Sequence, residues 1–123
     1  MTLKLNTRKL DDVVIVDLNG RLSCGEPREL FRAAVRGLLD EGNRRFVLNL
    51  SDVSFVDTTG LSELLATKTR LVAQGGDIVL LGVTKRLKDL LVMTKLIVVF
   101  DTFNKESEAI AALQATGKVK TTA

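Results

Sequence analysis

An acid, two hydroxyls and a glycine follow one another in the segment Asp57-Thr58-Thr59-Gly60. An apolar, β-rich run precedes this segment and an amphipathic helical pattern follows it, so we predict that it lies where a strand ends and a helix begins. Free backbone N–H groups and the positive end of the helix dipole meet at such a junction and stabilise an anion there. A phosphorylated hydroxyl would therefore sit favourably at this position. Thr59 is the first candidate for that hydroxyl and Thr58 is the second.

The same four residues also suit an ordinary helix start. Asp57 could accept backbone N–H groups as an N-cap, or it could orient the acceptor hydroxyl. Neither Thr58 nor Thr59 is followed three residues later by Glu or Gln, so a full capping box is absent. On these residues alone a simple cap is the more common explanation, and both interpretations stay open.

Composition excludes several kinds of site. The chain has 123 residues and no histidine, so neither a Ser-His-Asp triad nor an imidazole metal ligand is available. With Cys24 as the single cysteine, no intrachain disulfide forms, and a reducing, cytoplasmic compartment is indicated. We expect Cys24 to be a small buried apolar residue rather than a reactive thiol.

Charge and hydropathy argue against nucleic acid and membrane as partners. The net charge is +3 without a long basic run, and five Phe are the only aromatic residues for stacking. No segment approaches the ~20 apolar residues of a membrane span, so we predict a soluble, cytoplasmic protein. A basic cluster at residues 85–88 suits a solvated helix face or, alternatively, a surface facing an acidic partner, and Met93 is expected in the core.

Hydrophobic periodicity predicts the element order β-β-α-β-α-β-α-β-α. The opening two strands form a hairpin, and the alternation that follows implies parallel strands joined by right-handed crossovers. The fold class is therefore α/β, with a mixed, mostly parallel sheet, an N-terminal antiparallel hairpin and about four helices. A single domain over residues 1–116 and a disordered tail over 117–123 are expected. The predicted strands cover residues 3–9, 13–18, 45–50, 77–83 and 96–100.

Two segments, VLNLSDVSFVDTTGL and QGGDIVLLGVTKRLKDLL, resemble the STAS domain of bacterial anti-sigma factor antagonists, and the resemblance spans about residues 3–114. The pattern of that family is Asp-Ser-Ser-Gly-Leu, in which the second hydroxyl is the usual phosphorylation site. The resemblance thus assigns Asp57 as the acid, Thr58 as the first hydroxyl, Thr59 as the phosphoacceptor and Gly60 as the glycine.

The resemblance implies partner switching. An unmodified antagonist binds an anti-sigma factor that is itself a serine/threonine protein kinase of the histidine-kinase-like ATPase type, and so frees a sigma factor. Phosphorylation breaks that complex, and a metal-dependent protein phosphatase restores the antagonist. Because ATP and magnesium belong to the partner, this chain needs no cofactor or metal and is not an enzyme. We expect Gly60 to let the partner's backbone approach closely. The predicted partner-binding residues are Asp57, Thr58, Thr59, Gly60, Ser62 and Ser23.

Two departures from the family pattern keep an alternative open. Both hydroxyls here are threonines, and the loop of residues 21–24 lacks the aspartate that many members carry near the phosphosite. Ser23 could replace the hydrogen bonding of that aspartate but not its charge. The alternative is a non-catalytic STAS scaffold subunit of a larger signalling complex, not regulated by phosphorylation.

Overall fold

The chain opens as a β-hairpin, as predicted. The computed structural model describes residues 3–122, with side chains described for residues 3–115. β1 (Leu3–Leu10) pairs antiparallel with β2 (Val13–Leu22). Asp11, in the turn between them, has a φ of 56°, in the left-handed region that aspartate tolerates better than most residues.

The rest of the chain alternates strands and helices, and the predicted fold class is confirmed. The sheet has the order β1-β2-β3-β4-β5, and every pair after the hairpin is parallel. The remaining strands are β3 (Arg45–Val56), β4 (Asp77–Leu81) and β5 (Thr102–Phe103). The helices are α1 (Glu26–Asp40), α2 (Thr58–Ala73), α3 (Lys85–Met93) and α4 (Glu106–Thr122).

The sheet lies between two unequal helical layers. Its central strands are buried on both faces, because alternate residues of β2 point into two separate apolar clusters. The larger cluster packs the sheet against α1, α2 and α3, and the smaller one packs it against α4. The carboxyl ends of β2 and β3 therefore meet the amino ends of α1 and α2 at one edge of the molecule.

The predicted last strand over residues 96–100 is wrong. Lys95 adopts a left-handed φ of 63°, and Leu96–Val98 forms a 3₁₀ turn. Three side chains of this run are partly buried and pack on the larger cluster: Leu96, Ile97 and Val99. The strand that pairs with β4 is instead the two-residue β5. A short apolar run can cover a sheet as well as enter it, and periodicity does not distinguish the two.

The expectation for Met93 also differs from the structure. Met93, expected in the core, is 78% exposed at the end of α3. The backbone of α4 is helical to Thr122, and the disordered tail over residues 117–123 stays a prediction. Side chains of residues 116–123 lie outside the described part of the chain, and the domain boundary at residue 116 stays a prediction. No helix in the described part of the chain is long and apolar enough to cross a membrane.

Candidate functional site

The predicted strand-to-helix junction is present at the end of β3. β3 ends at Val56, and Asp57 is the N-cap of α2 with an extended backbone. Oδ1 of Asp57 accepts a hydrogen bond from the Gly60 N–H at 2.7 Å, and the Asp57 carbonyl accepts one from the Leu61 N–H at 2.9 Å. These bonds satisfy donors that a helix start otherwise leaves unpaired.

The second carboxylate oxygen of Asp57 joins the junction to the loop between β2 and α1. Oδ2 accepts a hydrogen bond from the Cys24 N–H at 3.1 Å. The Asp57 N–H in turn donates to the Leu22 carbonyl at 3.3 Å. No hydrogen bond among the described residues joins Asp57 to the hydroxyl of Thr58 or Thr59, so Asp57 holds two backbone segments together rather than orienting an acceptor.

Gly60 makes a close approach within the chain. It is buried, and a Cβ built on it would lie 2.1 Å from the Leu22 carbonyl oxygen. Real Cβ atoms do not come this close to an oxygen, so only glycine fits here without a shift of the backbone. The approach that we expected Gly60 to offer to a partner's backbone is therefore taken up by β2 of the same chain.

The hydroxyl side chains of the predicted site differ in accessibility. Thr58 and Ser62 are exposed, whereas Thr59 and Ser23 are half-buried. Ser23 lies in the loop beside Asp57, and its carbonyl accepts the Arg28 N–H at 3.1 Å at the start of α1. The structure thus brings the loop residue Ser23 to the same edge of the molecule as the threonines.

Cys24 is exposed, so the expectation of a buried residue is wrong. Its N–H is held by Asp57 in a loop, and loops run over the surface. Composition alone favours burial of cysteine, but the position of the residue in the loop decides the outcome.

A buried acid near the junction was not predicted. Glu63 is 3% exposed, one helical turn after Thr59. Its Oε1 accepts a hydrogen bond from Nη2 of Arg32 at 2.9 Å and lies 3.7 Å from Nε of Arg28. The hydrogen bond to Glu63 raises the pKa of Arg32 above its ordinary value. The sequence contains two arginines four residues apart in α1 and a glutamate in α2, but only the packing of the two helices brings them together.

An apolar groove of about 260 Å³ lies on the other side of the junction, between the end of β3 and α3. The guanidinium of Arg21 lies over the ring of Phe55, 4.4 Å from its centroid, at the β3 side. The basic residues of the 85–88 cluster are exposed, as a solvated face requires. The apolar residues of the groove are Val53, Phe55, Val56, Leu87, Leu90 and Met93.

Among the described residues no group of three or more His, Cys, Asp or Glu is placed to hold a metal ion.

Comparison with known proteins gives one family. The model of the STAS domain matches residues 4–109. A curated relative, BtrV of Bordetella bronchiseptica, is a candidate anti-sigma factor antagonist; it is 25% identical over 112 residues, which cover 91% of this chain and 96% of BtrV.

Three solved structures have the same fold. A candidate anti-sigma factor antagonist of Thermotoga maritima superposes with a TM-score of 0.83 at 26% identity, over 89% of this chain and 94% of that protein. The unphosphorylated form of the anti-sigma factor antagonist SpoIIAA superposes with a TM-score of 0.70 at 20% identity, over 90% of this chain and 98% of SpoIIAA. The phosphorylated form of SpoIIAA from Bacillus superposes with a TM-score of 0.69 at 22% identity, over 89% of this chain and 98% of SpoIIAA.

Proposed function

This chain belongs to the STAS domain family, and on that premise we propose that it is an anti-sigma factor antagonist switched by phosphorylation of Thr59. The unmodified protein binds an anti-sigma factor that is a serine/threonine kinase of the histidine-kinase-like ATPase type, and a sigma factor is released. The kinase phosphorylates Thr59 and the complex dissociates. A metal-dependent phosphatase then removes the phosphate. The antagonist itself is a substrate and a binding module, and the partners supply ATP and magnesium.

The observation that carries this proposal is the position of Thr59. Its side chain is half-buried in the first turn of α2, two residues after the N-cap Asp57. A phosphate there adds about −1.5 to −2 charges at neutral pH, next to the positive end of the helix dipole. The antagonist's own fold therefore tolerates the modification.

A docked partner would not tolerate it. An interface packed against a neutral hydroxyl would have to desolvate the phosphate or meet it with an opposing acid. Like charges across an interface cost several kcal/mol, and each ~1.4 kcal/mol changes affinity tenfold. One phosphate on Thr59 is thus sufficient to dissociate the complex.

The fixed backbone around the switch supports a change of charge rather than of fold. Asp57 links α2 to the loop after β2, and Gly60 lies against the Leu22 carbonyl, so the platform is held at three points. The fold of SpoIIAA matches this chain about equally well in its unphosphorylated and phosphorylated forms. We therefore expect the phosphorylated chain to keep the fold described above.

Phosphorylation by the cognate kinase tests the proposal. With kinase and ATP, intact-mass analysis is expected to show one phosphate on the wild type and on Thr58→Ala, but none on Thr59→Ala. The variant Thr59→Glu is expected to bind the kinase at least tenfold more weakly than the wild type, a loss of about 1.4 kcal/mol. A wild type that gains no phosphate, together with unweakened binding by Thr59→Glu, would overturn the switch.

A scaffold role is the second candidate. The loop residue that reaches Asp57 is Cys24, which donates a backbone N–H, and residues 21–25 carry no carboxylate beside the threonines. A scaffold subunit would form a large, stable complex on size-exclusion chromatography, and Thr59→Ala would leave the size and stability of that complex unchanged.

A further inference from the structure

We propose that Arg28 is the intramolecular receptor for a phosphate on Thr59, and that the phosphate draws the Arg28 guanidinium away from Glu63. The inference rests on the proposed function, because it concerns the modified state of the same threonine. It adds a specific binding group, on a neighbouring helix, for the charge that the switch introduces.

The geometry of α2 places Thr59 on the side that faces α1. Residues four apart on a helix are neighbours on one face, about 6 Å apart along the axis, so Thr59 and Glu63 share a face. Glu63 is the residue that contacts both arginines of α1. Thr58 lies about 100° around the helix from Thr59 and is exposed. Of the two hydroxyls, Thr59 is therefore the one next to the arginines.

The two arginines are held differently. Arg32 donates a hydrogen bond to Glu63 at 2.9 Å, so the carboxylate already has one close cation. Nε of Arg28 is buried and donates no hydrogen bond among the described residues, although it lies 3.7 Å from Oε1 of Glu63. The Arg28 side chain is 35% exposed, and its other close acid, Glu29, is 3.9 Å away. Arg28 thus has a buried donor without an acceptor, on a side chain that is partly open to solvent.

A phosphate on Thr59 would compete well for Arg28. It carries more charge than a carboxylate and offers three acceptor oxygens, and a guanidinium matches this geometry with two parallel hydrogen bonds. Without Arg28, the phosphate would face the Glu63 carboxylate one turn away, and like charges at this spacing are destabilising. Moving Arg28 to the phosphate removes that repulsion and satisfies Nε, while Arg32 stays on Glu63. The other acids of the two helix starts are Glu26 and Glu29 in the first turn of α1, and Asp57 at the N-cap of α2.

The titration of the phosphate itself tests the proposal. The full chain is prepared with phosphothreonine installed at position 59 during synthesis, and ³¹P NMR follows the phosphate from pH 4 to 8. A free phosphate has its second pKa near 6. We expect that pKa to be lower in the wild type than in Arg28→Gln by about 1 unit. Arg28→Lys keeps the positive charge but not the paired N–H donors of the guanidinium. Its phosphate pKa should therefore fall between those of the wild type and Arg28→Gln.

A matched control removes the same charge elsewhere on α1. Arg36 is exposed, two turns after Arg28, and Arg36→Gln should leave the phosphate titration as in the wild type. Thermal unfolding of each unphosphorylated variant verifies that it is folded. Equal phosphate pKa values in the wild type and Arg28→Gln would overturn the receptor role but leave Thr59 as the switch. Because no kinase takes part, failure of the enzymatic phosphorylation would instead count against the proposed function.

Discussion

Asp57 is a connector at the scale of single residues. One of its carboxylate oxygens caps α2 through Gly60, and the other holds the loop after β2 through Cys24. A threonine next to such a residue is presented on a backbone that is fixed from two directions. In the proposed switch, a charge added at Thr59 would therefore act on partners rather than on the fold.

Replacement of Asp57 should show this connecting role as a loss of stability. Asp57→Ala removes a cap and leaves two backbone donors without acceptors, so we expect it to lower the free energy of unfolding by about 2 kcal/mol. Asp57→Asn keeps one acceptor oxygen and should lower the free energy of unfolding by about half as much. Urea denaturation measures both, and Asp52→Ala, which removes an exposed acid from β3, should change little. Equal stabilities of Asp57→Ala and the wild type would contradict the connecting role.

The sequence predicts these residues unevenly. The place of Asp57 at a helix start follows from the change of hydrophobic period around it, because caps depend on local pattern. The burial of Gly60 against Leu22 and the exposure of Cys24 depend on which loop lies beside the junction. That neighbour is set by the packing of β2 on β3, which local pattern does not contain.

At the scale of elements, α1 and α2 each contain a glycine, but in different surroundings. In α2 the space where a Cβ of Gly60 would sit is occupied by the backbone of β2, whereas Gly37 in α1 has no atom within 4 Å of that position. Helix propensity alone would favour alanine at both positions. The difference lies in how closely each helix approaches the sheet at that point.

Alanine at the two glycines should therefore have opposite effects. Gly37→Ala is expected to stabilise the fold by about 0.5–1 kcal/mol, because it lowers the entropy of the unfolded chain. Gly60→Ala is expected to destabilise it by about 1–3 kcal/mol or more, because α2 must move away from the Leu22 carbonyl. Thermal unfolding of the pair is the measurement. Stabilisation by both substitutions would show that α2 does not need the close contact.

An apolar run in the sequence predicts that a segment is buried, but not always that it joins the sheet. β2 carries a long β-branched run, β3 and β4 carry shorter apolar runs, and all three form strands. The run at residues 96–100 is just as apolar, but it turns at Lys95 and covers the core instead of extending the sheet. Whether such a run joins a sheet depends on the edge available to it, and here Thr102–Phe103 occupies the edge of β4.

At the scale of the whole molecule, a cluster of charges ties the first strand to the last helix. Arg8 on β1 donates to Asp17 on β2 at 2.7 Å and to Glu106 on α4 at 2.7 Å. Asn49 on β3 also donates to Asp17, at 2.8 Å. Arg8 and Glu106 are 98 residues apart in sequence, so only the folded topology brings them together. No pattern along the chain predicts this pairing.

The charge cluster should make stability depend on pH on the acid side. The hydrogen bond from Arg8 holds the pKa of Asp17 below its usual value. A carboxyl with a depressed folded pKa stabilises the fold above the unfolded value of about 3.9 and loses that contribution as the pH falls through the folded value. Asp17→Asn should thus be less stable than the wild type at pH 7, and the difference should shrink below about pH 4.

The size of this effect is modest, because the Asp17 side chain is 27% exposed. About 1 kcal/mol is expected at pH 7 for a pair at such a site. Urea denaturation at a series of pH values measures it, with Asp40→Asn as the control for the loss of one exposed acid at the end of α1. A difference that stays constant from pH 7 to pH 3 would exclude a role for the Asp17 charge.

The fold class and the phosphoacceptor candidate come from different properties of the chain. Alternating hydrophobicity is sufficient for the mixed sheet and its helices, since it is repeated along the whole length. The choice of Thr59 over Thr58 needs the family pattern, because both hydroxyls lie in the first turn of α2. The arginines beside Glu63 belong to neither property, and only the packing of α1 on α2 places them against this glutamate.

The exposed thiol of Cys24 gives the molecule a chemical handle. It is the single cysteine of the chain, and its own N–H is bound to the cap of α2. A maleimide dye would attach at this one position, on the loop beside Asp57. Changes in its fluorescence could then follow the arrival and departure of a binding protein in real time, without any engineered labelling site.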